Sequence, residues 1–147
     1  MASGKVLLSR GRVLFLRLDD GFRLPQAIDS ELEKQGIKFA SIKGIGGVRW
    51  ARVAVFSPAE KKYYPVDLEA EPGMTMEMTS LLGNSVLGPD NTYYTHLHIV
   101  LAKKPGEVYS GHLIEAEVHP LAEIFIEENI GSLRDVQRLL ANRWGQW

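Results

Sequence analysis

Between His96 and Val118 the sequence leaves room for little except two β-strands folded back on each other. His96-Leu97-His98-Ile99-Val100-Leu101-Ala102 is apolar and β-branched, Lys103 to Glu107 carries the Pro-Gly turn signal, and Val108 to Val118 alternates again. Side chains two apart on a strand leave the same face with Cα atoms roughly 6.5 Å apart, so His96 and His98 point the same way. A hairpin brings His112 back beside them, since cross-strand partners lie about 5 Å apart. Three imidazoles then converge, provided that the loop contains an odd number of residues such as Lys103 to Glu107, or that a bulge at Gly106 or Gly111 supplies the register. A slip of one residue turns His112 to the opposite face.

The chemistry of such a cluster is bounded by what the chain lacks. With no cysteine among 147 residues, disulfides and thiolate sites are excluded, and a metal must use nitrogen and oxygen donors. Three neutral imidazoles favour Zn²⁺ among divalent metals, with Ni²⁺, Co²⁺ and Fe²⁺ as alternatives. Three protein ligands leave a fourth position for water or a substrate oxygen, the arrangement of a catalytic rather than a closed structural zinc. Glu115 and His119 lie on the alternate parity from His112 and are not expected to join it. A cupin site also starts from His-x-His but needs a glutamate about four residues later; Ala102 and Lys103 stand there.

The rest of the chain reads as strands separated by turns. Val6–Leu8 and Arg12–Leu18 are expected strands, and Pro25–Gln35 is a helix with Ile28 and Leu32 inward and Gly36 as its stop. Lys43-Gly44-Ile45-Gly46-Gly47 invites a nucleotide-loop reading, but a period-two strand, Val48–Phe56, follows where such a loop needs a helix. These glycines are therefore read as close backbone approach at a strand junction. Tyr63–Leu68 pairs back as an edge strand containing Pro65, and Met74–Leu82 carries core methionines. Gly83-Asn84 interrupts the run to Leu87, marking a bulge or a close approach to something bound, with the Asn84 amide available to a pocket. Pro120 is expected to break the strand after His112, Leu121–Ile126 to be the last strand, and Ser132–Trp144 a helix capped by Ser132, with Leu133, Val136, Leu139, Leu140 and Trp144 as its apolar stripe. The fold class is α+β: one domain on a largely antiparallel sheet with packed helices.

Seventeen basic against eighteen acidic residues supply no global field for nucleic acid. Arg10-Gly11-Arg12 has the core of a minor-groove hook, but Val13 replaces the following proline and a strand begins at once, so a charged bend is expected. The opening residues form neither a signal peptide nor a membrane span, which makes the cytoplasm the expected compartment.

Taken in order, Leu14-Phe15-Leu16-Arg17-Leu18-Asp19 with Gly21, the glycine junction 43–47, Ser80-Leu81-Leu82-Gly83-Asn84, His96-Leu97-His98 and Gly111-His112-Leu113 resemble the plants and prokaryotes conserved (PPC) domain over about residues 5 to 128. The ordered set of Gly-Asn, His-x-His and Gly-His-Leu is its most specific part. The resemblance implies a domain over residues 5–130 followed by a helical tail, 131–147, a homotrimer, and a metal held by His96, His98 and His112. It further implies a DNA-associated or regulatory role, although this chain lacks the plant hook and a basic surplus. A metal-dependent enzyme acting on a small molecule, and a purely structural assembly domain, are the alternative expectations, and whether the site catalyses is left open.

Overall fold

The computed structural model describes residues 3–144. Along the chain run β1 (Ser9–Asp19), β2 (Arg23–Leu24), α1 (Gln26–Gln35), β3 (Phe39–Ser57), β4 (Lys62–Glu69), β5 (Met76–Leu87), β6 (Tyr93–Lys104), β7 (Glu107–Ile130) and α2 (Leu133–Leu139), then a 3₁₀ turn at Ala141–Trp144. All strand pairings are antiparallel, in the order β1-β7-β6-β5-β3-β4 with β2 on β7. Because β3 also pairs with β7, the ladder closes on itself around an apolar interior. The result is a single, mostly antiparallel sheet with two short helices among the described residues, as the alternation of the sequence leads one to expect.

The interior is what that alternation dictates. Leu97, Ile99 and Leu101 of β6 point inward at 0–1% exposure, between outward His96, His98 and Val100. Met76 and Met78 fill the interior from β5, and Ile124 and Ile126 from β7. Helix α1 lays Ile28 and Leu32 on this core and ends at Gly36, whose φ of 65° lets the Ile37 N–H return to the Leu32 carbonyl.

Five expectations need correction. Val6–Leu8 is not a strand, because β7 runs out at Ile130 opposite Ser9 and leaves nothing to pair with. The glycine junction does not separate two strands: β3 is continuous over 19 residues. Its glycines do serve close approach, since a Cβ on Gly47 would lie 2.3 Å from the His119 carbonyl oxygen. Pro120 does not end the strand either. In β7 the residues His119, Pro120 and Leu121 are skipped in the pairing with β3, which passes from Val48↔Val118 to Gly46↔Ala122, so the missing proline N–H costs no ladder bond there. Gly83-Asn84 does not interrupt β5; the irregularity lies between Met78 and Ser80, and it turns Leu81 inward. The C-terminal helix stops at Leu139, and the 3₁₀ turn that follows lets Trp144 meet the Tyr94 ring edge-on at 5.4 Å. Ser132 does cap that helix, accepting from the Asp135 N–H at 3.2 Å. Of the expected stripe, Val136 is buried and Leu139 is exposed.

Candidate metal centre

The three histidines are assembled by hairpin register. Strands β6 and β7 are joined by a two-residue turn, Lys104 facing Glu107 across Pro105-Gly106. Left regular, that pairing would set Leu113 opposite His98. A shift between Ala102 and Lys104 absorbs one residue, and His98 faces His112. The required bulge therefore exists, at Lys103 rather than at Gly106 or Gly111. His96 sits one pleat further along β6 on the same face, opposite Asn84 of β5.

The ring centroids stand 5.0 Å (His96–His98), 5.3 Å (His96–His112) and 6.0 Å (His98–His112) apart. Each ring offers a nitrogen, and the three lie within 4.8 Å of one another. Tetrahedral zinc with Zn–N near 2.05 Å needs nitrogens about 3.3 Å apart, a contraction that side-chain rotation supplies. Burial favours the neutral form of two of the imidazoles: His112 is pushed down to about 4 by desolvation and then by the neighbouring His96 and His98, and His96 is lowered by burial, then by Arg143 and His98. A neutral imidazole is the form that binds a metal.

Among the described residues, two buried side-chain polar atoms have no hydrogen-bond partner, His112 Nδ1 and Asn84 Oδ1. Native proteins rarely leave such atoms unsatisfied, and both lie at this cluster. The donor set, free of thiolate and with a stranded ring nitrogen, fits a divalent metal of the zinc type. Gly83, beside Asn84, allows the approach of β6, since a Cβ there would fall 1.9 Å from the His96 carbonyl oxygen. Both residues singled out for a pocket thus border the histidines, Gly83 as a spacer and Asn84 with an unspent amide oxygen.

The description "Plants and Prokaryotes Conserved (PCC) domain" matches residues 8–130. The chain belongs to this family. A PPC protein of Pyrococcus horikoshii is 34% identical, with a TM-score of 0.78, over 90% of this chain and 87% of its own. A protein of Archaeoglobus fulgidus described as metal-containing is 35% identical, with a TM-score of 0.79, over 88% of this PPC chain and 87% of its own. A third, from Bacteroides thetaiotaomicron, whose description offers DNA binding as a conjecture, is 23% identical with a TM-score of 0.71, over 82% and 83% of the two chains, and speaks to the fold alone. Curated proteins yield no match.

Other polar candidates are accounted for within the PPC fold. His119 lies within β7, where its Nδ1 is 2.9 Å from Asp20 Oδ1 and 3.0 Å from Arg49 Nη2. Arg12, of the hook-like triplet, grips Glu128 through Nε at 3.0 Å and Nη2 at 3.1 Å and also reaches the Gln35 carbonyl, so it works as a strand clasp. Glu115 pairs with Arg23 at 2.9 Å. No helix among the described residues is long and apolar enough to cross a membrane.

Sequence reasoning passed over two neighbours of the histidines. Tyr63, the second residue of β4, lays its ring 4.7 Å from that of His112. Arg143, from the 3₁₀ turn, lines a cavity of about 380 Å³ together with Tyr63, Tyr94, His96 and His112. No local pattern announces either residue, because both reach the site through tertiary contacts.

Proposed function

We propose that this chain is a metal-binding PPC module that holds a divalent ion, Zn²⁺ before others, on His96, His98 and His112, and presents its open position to a small molecule. The stranded His112 Nδ1 beside two further imidazoles carries the reading. A zinc ion on three imidazoles supplies Lewis acidity and acidifies a bound water, which is the basis of the enzyme alternative. The adjoining cavity favours a small ligand over nucleic acid. A DNA-associated role finds less support: the chain has no basic surplus, and Arg12, Arg17, Arg23, Arg49, Arg52 and Arg138 all have carboxylates within salt-bridge range.

We also propose the homotrimer. Across the sheet, Phe15, Phe125, Lys43, Leu82 and His98 stand in one register row, and Phe15, Phe125 and Leu82 are 40–56% exposed in the single chain. A row with three exposed apolar side chains around Lys43, ending at a ligand histidine, is a surface suited to a second copy.

Metal analysis of the purified protein against a His96→Ala/His98→Ala variant tests the centre, with about one ion per chain expected in the parent and none in the variant. Equal content in both would sink it. Sedimentation at several concentrations tests the trimer, and a single-chain mass throughout refutes it. Titration with duplex DNA at low salt tests the remaining role, where steep weakening on adding salt marks phosphate contacts.

A further inference from the structure

Beside the histidines lies a cation that no described carboxylate neutralises. Among the described arginines, Arg143 is the one that is partly buried rather than exposed, and among the described residues no carboxylate stands within 4.0 Å of it. Its one hydrogen bond among those residues is long, Nη1 to the Tyr94 carbonyl at 3.4 Å, and leaves most of the five guanidinium donors unspent. Burial lowers its pKa, the mark of a charge removed from water without compensation. Such a group is costly to keep unless something anionic binds it.

The position is fixed by tertiary contacts. Gln137 Nε2 donates to the Leu87 carbonyl at 2.7 Å and ties α2 to the end of β5, while Trp144 leans on Tyr94 of β6. The segment between these anchors forms one wall of the cavity, contributing Leu140 and Arg143; Tyr63 and Tyr94 form others, and His96 and His112 stand across it.

We propose that this cavity binds a small organic carboxylate, its carboxylate group on Arg143 and its body against Leu140, Tyr63 and Tyr94, with the far end facing His96 and His112. A volume of about 380 Å³ lies near the lower end of ligand pockets, which limits the ligand's size. The walls are largely aromatic and aliphatic, which suits an apolar body. One planar guanidinium matches one carboxylate through two parallel hydrogen bonds. In the metal-free cavity a phosphate dianion would call for further positive charge, and Arg143 is the one arginine or lysine among its described lining residues. The inference rests on the metal-centre reading only for what the far end meets; its carboxylate half stands without the ion.

Benzoate, its neutral isostere benzamide and inorganic phosphate, titrated calorimetrically into full-length protein in zinc-loaded and chelator-treated forms, test the proposal. Benzoate is expected to bind at least tenfold more tightly than benzamide in both forms and than phosphate in the chelator-treated form, and more tightly to the zinc-loaded form. Arg143→Ala weakens benzoate at least tenfold, Arg143→Lys retains part of the affinity, and Arg138→Ala, on the exposed face of α2, stays within twofold of the parent. Circular dichroism and urea midpoints equal to the parent's establish that the variants are folded. Equal binding of benzoate and benzamide, a preference for phosphate in the chelator-treated form, or full benzoate affinity in Arg143→Ala overturns the carboxylate site. Equal affinity in zinc-loaded and chelator-treated protein overturns the placement of the far end. Zinc content, measured separately, tells the two readings apart: zinc without benzoate binding refutes this site alone, and Arg143-dependent benzoate binding without zinc uptake refutes the metal centre alone.

Discussion

Replacing Gly83 by alanine tests the strand pairing and the histidine cluster together. The new Cβ would lie 1.9 Å from the His96 carbonyl oxygen and 2.9 Å from Leu97 Cα, whereas ordinary contact begins at 3.4 Å. The difference, 3.4 minus 1.9, means that about 1.5 Å must open between β5 and β6, close to a third of the usual spacing of about 4.8 Å between strands. The obstacle is backbone on both sides, so no side chain can swing away. Overpacking of this kind costs about 1–3 kcal/mol, and a backbone clash belongs at the upper end. Losing a glycine from the unfolded chain returns about 0.4–1 kcal/mol. A net loss of about 2 kcal/mol is therefore expected in the metal-free protein, read from urea unfolding at fixed protein concentration. Zinc affinity should fall further, at least tenfold in a competition titration, because metal donors tolerate displacements of only about 0.2 Å and His96 moves with its carbonyl. A Gly83→Ala protein with the parent's urea midpoint and zinc affinity would refute the pairing of Gly83 with Leu97, and with it the geometry of the cluster.

Asn84 should separate stability from metal binding. Its unpartnered amide oxygen contributes little to the metal-free fold, so Asn84→Ala is expected to shift the urea midpoint slightly while reducing zinc affinity about tenfold or more, as loss of a group that orients a ligand does; equal zinc affinity in a competition titration would remove Asn84 from the site. The pH dependence of the metal-free protein carries opposed contributions, of which Asp29 and His112 are examples of either sign. Burial raises the Asp29 carboxyl from 3.8 to about 6, against a hydrogen bond from Thr95, so the native state holds the extra proton and stability falls as pH rises through that window. His112 is lowered from 6.5 to about 4, so its contribution is complete above 6.5 and is lost as pH falls. Asp29→Asn removes the first, and should stabilise the protein at pH 7 by on the order of 1 kcal/mol after allowance for solvent screening, while steepening its loss of stability between pH 6.5 and 4. Urea midpoints across that range check it, and parallel curves for parent and variant would contradict the burial argument for Asp29.

The parts of the fold that were legible in the sequence are those ruled by local periodicity. Alternation in β6 placed Leu97 and Ile99 inside and the histidines outside, and Ile28, Leu32 and Gly36 marked α1 and its end. The errors fall where a partner strand decides. Pro120 looks like a break until β3 is seen to skip it, and the run Val6–Leu8 looks like a strand until β7 ends. The histidine trio was visible because parity arithmetic needs only spacing, whereas the bulge that satisfies it fell at Lys103, a residue with no bulge signature. Tyr63 and Arg143 were invisible for the same reason as Pro120: each acquires its role from a chain segment distant in sequence.

That bulge has a consequence for how this hairpin can change over time. Apart from Gly106, whose φ of 83° favours glycine, residue identities between Ala102 and Val108 are loosely constrained, since these side chains crowd the solvent-facing end of the hairpin and not the histidines. What is fixed is the pairing of Ala102 with Val108, because a slip of one residue sets Leu113 or Gly111 opposite His98 in place of His112. Lys103 is the residue that the bulge takes up, so its removal leaves a regular two-residue turn with Lys104 opposite Glu107 and His98 still opposite His112. The loop is thus free to drift in composition outside Gly106, and in length wherever a bulge restores the pairing.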